Sequence, residues 1–244
     1  MLLPHLAGHA LHLGRWPDGV DHPGWFQANC RGAPAWLRTH VVTGKRGQTL
    51  RYCVIDDVPS LLWAANLGTL ELHPFQAAID RPDEPRAIVF DLDPGPGCGL
   101  RECAHAALAL REALAPLACF VKTSGVKGLH VFVPLNGGAT YAEVKPFARA
   151  VAQQLAARHP ATLTDRMARA ERAGRVFVDT SQNDPGKQTV APYSLRATSV
   201  PLVSAPLAWS ELEAPGHASP AIVLERIARH GDLFADVRSL RQSL

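Results

Sequence analysis

Residues 87–95, AIVFDLDPG, place two aspartates one residue apart at the end of an apolar run, which Pro94 and Gly95 then stop. Successive side chains of a β-strand point to opposite faces, so Asp91 and Asp93 share one face while Phe90 and Leu92 pack the other. Two carboxylates side by side repel and are costly to desolvate unless a cation lies between them, and a hard divalent ion is the usual candidate. The plainer alternative is a strand end that reaches water just before its turn. Which of the two holds depends on what else the chain brings to that face.

The remaining pattern is that of an α/β chain with a mixed sheet. Strand runs lie at 48–55, 86–93, 118–124, 129–135 and 175–181, each bounded by Gly, Pro or polar turn residues. Thr140 and Glu143 form a capping box ahead of a helix over 141–159, and Ser219-Pro220 and Gly231 bracket another. A helix over 100–117 links the second strand to the third in a βαβ-like passage, whereas 118–135 reads as a tight hairpin. No repeat or long linker interrupts the chain, so residues 1–244 are expected to form one domain. With 47% hydrophobic residues, no secretory start and no apolar run near the ~18 residues of a membrane span, a soluble cytoplasmic protein is expected. Five cysteines, Cys30, Cys53, Cys98, Cys103 and Cys119, are an odd number without a C-x-x-C and read as reduced thiols. A net charge of +3 permits a polyanionic partner without demanding one.

Two further segments bear on the aspartates. TSGVKGLH (123–130) gathers Ser124, two glycines, Lys127 and His130, the makings of a phosphate cradle or of a plain solvated turn; its spacing is not that of a Walker A loop. VFVDTSQN (176–183) brings Asp179 to another strand end. A third carboxylate would complete an oxygen-rich site shared by two divalent ions about 3.5–4 Å apart, as used in in-line phosphoryl transfer. Lys187 and Arg196 follow in GKQTVAPYSLRAT (186–198) and suit phosphate oxygens. Arg166, Arg169 and Arg172 recur every third residue, which predicts a shared helix face. That face either tracks DNA phosphates or is solvated beside Asp165 and Glu171. His5, His9 and His12 are spaced to share a helix face too, but without carboxylate or thiol neighbours they speak against a metal site.

In order, LELHP, FDLDPG, TSGVKGLH, VFVDTSQN and VAPYSLR, with RWPDGVDHPGWFQ (15–27) and ERIARHGDLF (225–234) near the ends, resemble the polymerase domain of bacterial DNA ligase D, in the archaeo-eukaryotic primase superfamily. SQN, Lys187 and APYSLR are especially similar to mycobacterial members. The resemblance implies a primase-like catalytic core with an RRM-like element. It implies that Asp91, Asp93 and Asp179 hold two Mn²⁺ or Mg²⁺ ions and that His73 is an essential active-site histidine. It places Ser124, Lys127, His130, Lys187 and Arg196 at the triphosphate of an NTP or dNTP, and Trp25 and Phe26 where an aromatic pair stacks on bases.

The implied activity is template-directed nucleotidyl transfer to a primer 3′-OH, preferring ribonucleotides, in gap filling or break repair by non-homologous end joining. The implied partners are primer-template, gapped or broken DNA, a separate ATP-dependent DNA ligase and a Ku-type end-binding protein, with the chain a monomer of the cytoplasm and nucleoid. A two-metal nuclease or other phosphotransferase and a non-catalytic DNA-binding module are the rival readings. Relatives begin several dozen residues ahead of LLPHL with an Asn/Lys-bearing segment that reads a downstream 5′-phosphate, so a chain starting at Met1 is expected to lack that pocket. The 75–87 loop is short for bridging two ends, and Gly14 and Ala28 stand where relatives often carry lysine.

Overall fold

In the computed structural model, which describes residues 1–44 and 47–244, the first part of the chain runs through β1 (Ala10–Arg15), β2 (Trp25–Gln27), β3 (Thr39–Thr43), β4 (Thr49–Val54), α1 (Val58–Asn66) and β5 (Thr69–Pro74). These strands form one antiparallel sheet in which β1 pairs with β2, β4 and β5. Leu11 and Leu13 of β1 join Leu6, Leu37, Ile55 and Leu72 in its core. Alternation leaves Ala10, His12 and Gly14 on the opposite face.

The second part runs through β6 (Ala87–Pro94), α2 (Leu100–Leu114), β7 (Phe120–Thr123), β8 (Leu129–Pro134), α3 (Tyr141–Arg158), β9 (Leu163–Thr164), β10 (Val176–Asp179), β11 (Leu195–Arg196), β12 (Leu202–Val203), β13 (Pro206–Leu207) and α4 (Pro220–His230). Its six-stranded sheet has the order β13-β7-β8-β6-β10-β9, with β9 parallel to β10. Within it β6-α2-β7-β8-α3-β10 is a βαββαβ unit with strand order β7-β8-β6-β10, the split arrangement of ferredoxin-like and RRM folds. The expected βαβ passage is thus split: β6 and β7 each pair antiparallel with β8, which lies between them. Ile88, Phe90 and Leu92 pack against Ala104, Ala107 and Leu110 of α2 and Val144 and Ala148 of α3. Burying those side chains is what fixes the register, because a one-residue slip would turn the aspartates into the core.

The expected helix ends of α3 and α4 are present. Glu143 accepts from Thr140 N at 2.8 Å, Pro220 opens α4, and Gly231 ends it at φ 69°. Four expectations are corrected. Helix α2 ends at Leu114, not 117, because Pro116 cannot continue it and disfavours a helical residue before it. Arg166, Arg169 and Arg172 do not share a helix face: only Arg169–Glu171 forms a short 3₁₀ turn. That segment is pinned to the turn after β6, with Gly174 N donating to Pro96 O at 2.8 Å and Gly95 N to Arg175 O at 2.9 Å. Nor do the three N-terminal histidines, since His12 lies in a strand; His5 pairs with Asp232 at 2.9 Å and the His9 ring bonds the carbonyl of Phe75 at 2.7 Å. Finally, Cys30 and Cys53 are joined in a disulfide with Cα atoms 5.3 Å apart, and only Cys98, Cys103 and Cys119 are free thiols. Cys30 N donates to Arg51 O, which brings together two cysteines that the sequence separates by 23.

Among the described residues no helix is long and apolar enough to cross a membrane.

Candidate active site

The face of β6 turned away from the helices changes character along its length. Ala87 and Val89 are covered by Phe132 and Phe234, and the next two positions on that face are Asp91 and Asp93. Asn183 anchors the strand behind them, its side-chain amide accepting from Val89 N at 2.9 Å and donating to Val89 O at 2.8 Å. Register then carries a polar row across four strands. Asp179 of β10 lies opposite Asp91, Asp91 opposite His130 of β8, and His130 opposite Lys122 of β7.

Side-chain contacts follow that row. The His130 Nε2 atom is 3.3 Å from Asp91 Oδ1, and its Nδ1 is 2.9 Å from Lys122 Nζ, which also donates to Ser204 Oγ at 2.6 Å. Burial pushes the Asp91 carboxyl up, but His130, Lys122 and Arg196 outweigh it and hold the group below its ordinary range. An ionised Asp91 only accepts, so the His130 proton sits on Nε2 and Nδ1 receives the lysine. Burial and Lys122 lower the His130 pKa, and burial takes the wholly enclosed Lys122 amine well below its usual value. Asp93 behaves in the opposite way to Asp91: burial, Asp91 and Asp179 push its carboxyl up to about 6, against the pull of Arg172 and Lys127.

A cavity of about 290 Å³ opens on these groups and is lined by His73, Asp91, Asp93, Ser124, Lys127, His130, Gln182, Gln188 and Arg196, among others. The sheet pairing and turns therefore gather residues from β5, β6, β8, the 123–130 turn and β11. Gly125, at φ +81°, makes room for this: a Cβ there would lie 2.5 Å from Arg196 Cγ. On the opposite wall Gly14 pairs with both Phe26 and Glu71, and a Cβ at 14 would lie 2.9 Å from the Glu71 Cβ. A side chain of lysine size does not fit there without moving those neighbours.

The residues expected at the site stand in different settings. Both ring nitrogens of His130 have partners within the protein, and burial and Lys122 lower its pKa. Ser124 Oγ accepts from the backbone N–H groups of Val126, Lys127 and Gly128 at 3.1–3.4 Å, shaping the turn and leaving only its own proton to donate. Lys187 lies exposed on the 184–187 turn, outside the cavity wall that Gln182 and Gln188 form. Phe26 packs edge-on against the His73 ring at 5.0 Å, and Trp25 lies under Arg15 at 5.0 Å; both are about half exposed. Arg166 and Arg169 are exposed, whereas Arg172 covers the Phe177 ring at 3.9 Å and donates to Met167 O.

Two charged residues to which the sequence reading gave no role complete the site. Glu71, buried on β5, contacts His73 Nε2 at 2.9 Å, Arg196 Nε at 3.2 Å and Ala197 N at 3.0 Å. Lys122 is the other. Each stands two residues before an expected site residue, His73 or Ser124, and strand alternation was the signal for a shared face.

Among the described residues no three carboxylate, imidazole or thiol groups are already gathered as a metal cage, and Asp179 Oδ1 is turned to accept from Ser181 N at 2.7 Å. The donor set nevertheless fits a hard divalent ion: Asp91, Asp93 and Asp179 share one face and supply only oxygen, and burial together with the other two carboxylates raises the Asp93 carboxyl.

Comparison with known proteins gives one consistent answer. Residues 1–234 match the family described as "LigD, primase-polymerase domain". The non-homologous end joining DNA repair protein LigD of Mycobacterium tuberculosis is 40% identical over 248 residues, covering 96% of this chain. LigD of Bacillus subtilis is 31% identical over 244 residues, again covering 96% of this chain. The chain spans about a third of the length of these relatives, 32% and 39% respectively. The polymerase domain of M. tuberculosis ligase D, solved in complex with DNA, superposes with a TM-score of 0.92 at 39% identity over 99% of this chain and 88% of that one.

Proposed function

The chain belongs to the LigD primase-polymerase domain family, and on that premise we propose that it is a template-directed nucleotidyltransferase that extends a primer 3′-OH with nucleoside triphosphates, ribonucleotides preferred, during DNA end joining. One observation carries the reading: Asp91, Asp93 and Asp179 share a face, and the Lys127 and Arg196 cations line the same cavity as the first two. A pure DNA-binding surface has no use for clustered carboxylates facing a polyanion.

The three aspartates would hold Mn²⁺ or Mg²⁺, which when bound activates the attacking oxygen and offsets charge on the leaving pyrophosphate. The chain's own residues do the rest. Lys127 and the Arg196 guanidinium bind phosphate oxygens, and the Ser124 hydroxyl adds a donor. His130, held by Lys122, keeps one oxygen of Asp91 occupied and orients the carboxylate. Phe26 and Trp25 offer exposed rings on which a base stacks, and Arg166 and Arg169 offer charge to the DNA backbone. DNA with a recessed or broken end, a separate ATP-dependent ligase and a Ku-type end-binding protein are the proposed partners, and the cytoplasmic nucleoid the proposed place.

The test is a 5′-labelled primer on a template, incubated with Mn²⁺ or Mg²⁺ and single ribo- or deoxyribonucleotides. Templated lengthening is the expected result. Shortening of the primer would instead support a nuclease, and tight DNA binding with neither change a non-catalytic module.

A further inference from the structure

Glu71 is assigned no part in the nucleotidyl transfer described above, yet it touches two residues that line the cavity and come from different strands. Its side chain is 5% exposed, deeper than either partner. One oxygen, Oε1, receives Ala197 N at 3.0 Å and lies 3.2 Å from Arg196 Nε; the other, Oε2, lies 2.9 Å from His73 Nε2. Burial pushes the Glu71 carboxyl up, and the bonds from His73 and Ala197 and the nearby Arg196 charge more than reverse this. It is therefore an ionised acceptor that must receive a proton at both oxygens.

That requirement fixes the imidazole. With the proton committed to Nε2, His73 Nδ1 is a bare lone pair, and it has no hydrogen-bond partner among the described residues. Burial lowers the His73 pKa, so the ring is neutral near pH 7. We propose that Glu71 is a positioning residue for nucleotidyl transfer: it locks His73 in the Nε2–H tautomer, with Nδ1 available as an acceptor, and clamps Arg196 beside it. This rests on the polymerase reading for the reaction affected, but not for the tautomer.

Glu71→Gln separates this from a packing role, because the amide has the same shape and no charge. Its single oxygen faces either Ala197 N, which can only donate and has the Arg196 charge beside it, or His73, which can move its proton to the other nitrogen. Keeping the oxygen on the donor that cannot adapt is favoured. The amide NH₂ then faces His73, whose Nε2 must accept, so its proton moves to Nδ1.

The measurements are the long-range ¹H–¹⁵N spectrum of the imidazoles, with the His73 signals assigned by their loss in His73→Gln, and steady-state primer extension. Wild-type protein should show the Nε2–H tautomer and Glu71→Gln the Nδ1–H tautomer, with kcat reduced tenfold or more at unchanged melting temperature. Glu71→Asp, which keeps the charge, should keep the wild-type tautomer and regain part of kcat. An unchanged tautomer in Glu71→Gln, or an inverted tautomer with wild-type kcat, would overturn the proposal. If wild-type protein added no nucleotide, the polymerase reading would fall. Glu71 would then be judged by the tautomer and by ATP affinity in calorimetry, where wild-type affinity in Glu71→Gln would refute the clamp on Arg196.

Discussion

His73 on β5 and His130 on β8 line the same cavity from different sheets, and both are neutral, but their buried partners act in opposite senses, one accepting a hydrogen bond and the other donating one. His73 leans on a buried anion, Glu71, and keeps one nitrogen without a partner among the described residues. His130 lies between a buried donor, the Lys122 amine, and the Asp91 carboxylate, and has no nitrogen to spare. The same side chain is therefore a usable acceptor on one wall and a fixed part of the carboxylate floor on the other. What decides this is the residue two strand positions or one strand away, not the histidine itself.

The largest effect should come from the floor. Asp91→Asn keeps the shape and still accepts from His130 Nε2, so the fold should survive, but an anionic oxygen facing Asp93 and Asp179 is lost. We expect primer extension to fall at least about 1,000-fold, about 4 kcal/mol of barrier, with an unchanged far-UV circular dichroism spectrum. His73→Gln, on the opposite wall, removes one hydrogen-bond acceptor and should lose about 10–100-fold, about 1.4–2.7 kcal/mol. Equal losses, or an Asp91→Asn protein within tenfold of wild type, would abolish the distinction between floor and wall.

Acid separates the two regions next. In the N-terminal part His9 is held to about 4 by burial, with Arg86 adding to the effect. Between pH 6.5 and 4 the unfolded chain takes up a proton there that the folded chain refuses. The stability His9 contributes is thus present above pH 6.5 and shrinks as pH falls, by about 3 kcal/mol at pH 4. Asp93, pushed up to about 6, works the other way: in metal-free buffer the folded state takes the proton first. Acidification from pH 7 to 5 relieves a penalty of roughly 1 kcal/mol after allowance for its partial exposure. Urea unfolding of wild type, His9→Asn and Asp93→Asn at pH 7, 5.5 and 4.5 checks both signs. The gap between wild type and His9→Asn should move against wild type as pH falls, and the gap to Asp93→Asn in its favour.

Much of this was legible in the sequence, because period-two alternation and capping depend on neighbouring residues. AIVFDLD announced a strand with two carboxylates on one face, and Thr140, Glu143, Ser219 and Gly231 marked helix ends that the structure keeps. What was not legible depends on residues far apart in the chain. The Cys30–Cys53 bond needs β4 beside the segment after β2. Arg172 leaves a predicted helix face because Gly95 and Gly174 tie its segment to the β6 turn. The engagement of His130 Nδ1 follows from Lys122, which local pattern presents as one polar residue in an apolar strand.

That lysine provides the smallest effect and the sharpest comparison. Lys122→Met keeps length and approximate volume while removing the amine from an enclosed place where, among the described residues, no carboxylate touches it directly. Two hydrogen bonds are lost, each worth about 1 kcal/mol net, but the cost of desolvating the amine is lost too, so the melting temperature should hardly move. Ser204 keeps its bond to Thr123 O. His130 Nδ1, however, has nothing left to accept, and the ring is no longer tied to the tautomer that points N–H at Asp91. Extension should fall about tenfold, equivalent to about 1.4 kcal/mol, and Lys122→Arg, which forces a larger head into the same space, should instead destabilise the fold by about 1–3 kcal/mol. Full activity in Lys122→Met would mean that His130 needs no donor behind it, and the contrast with His73 would then reduce to the anion on the other wall.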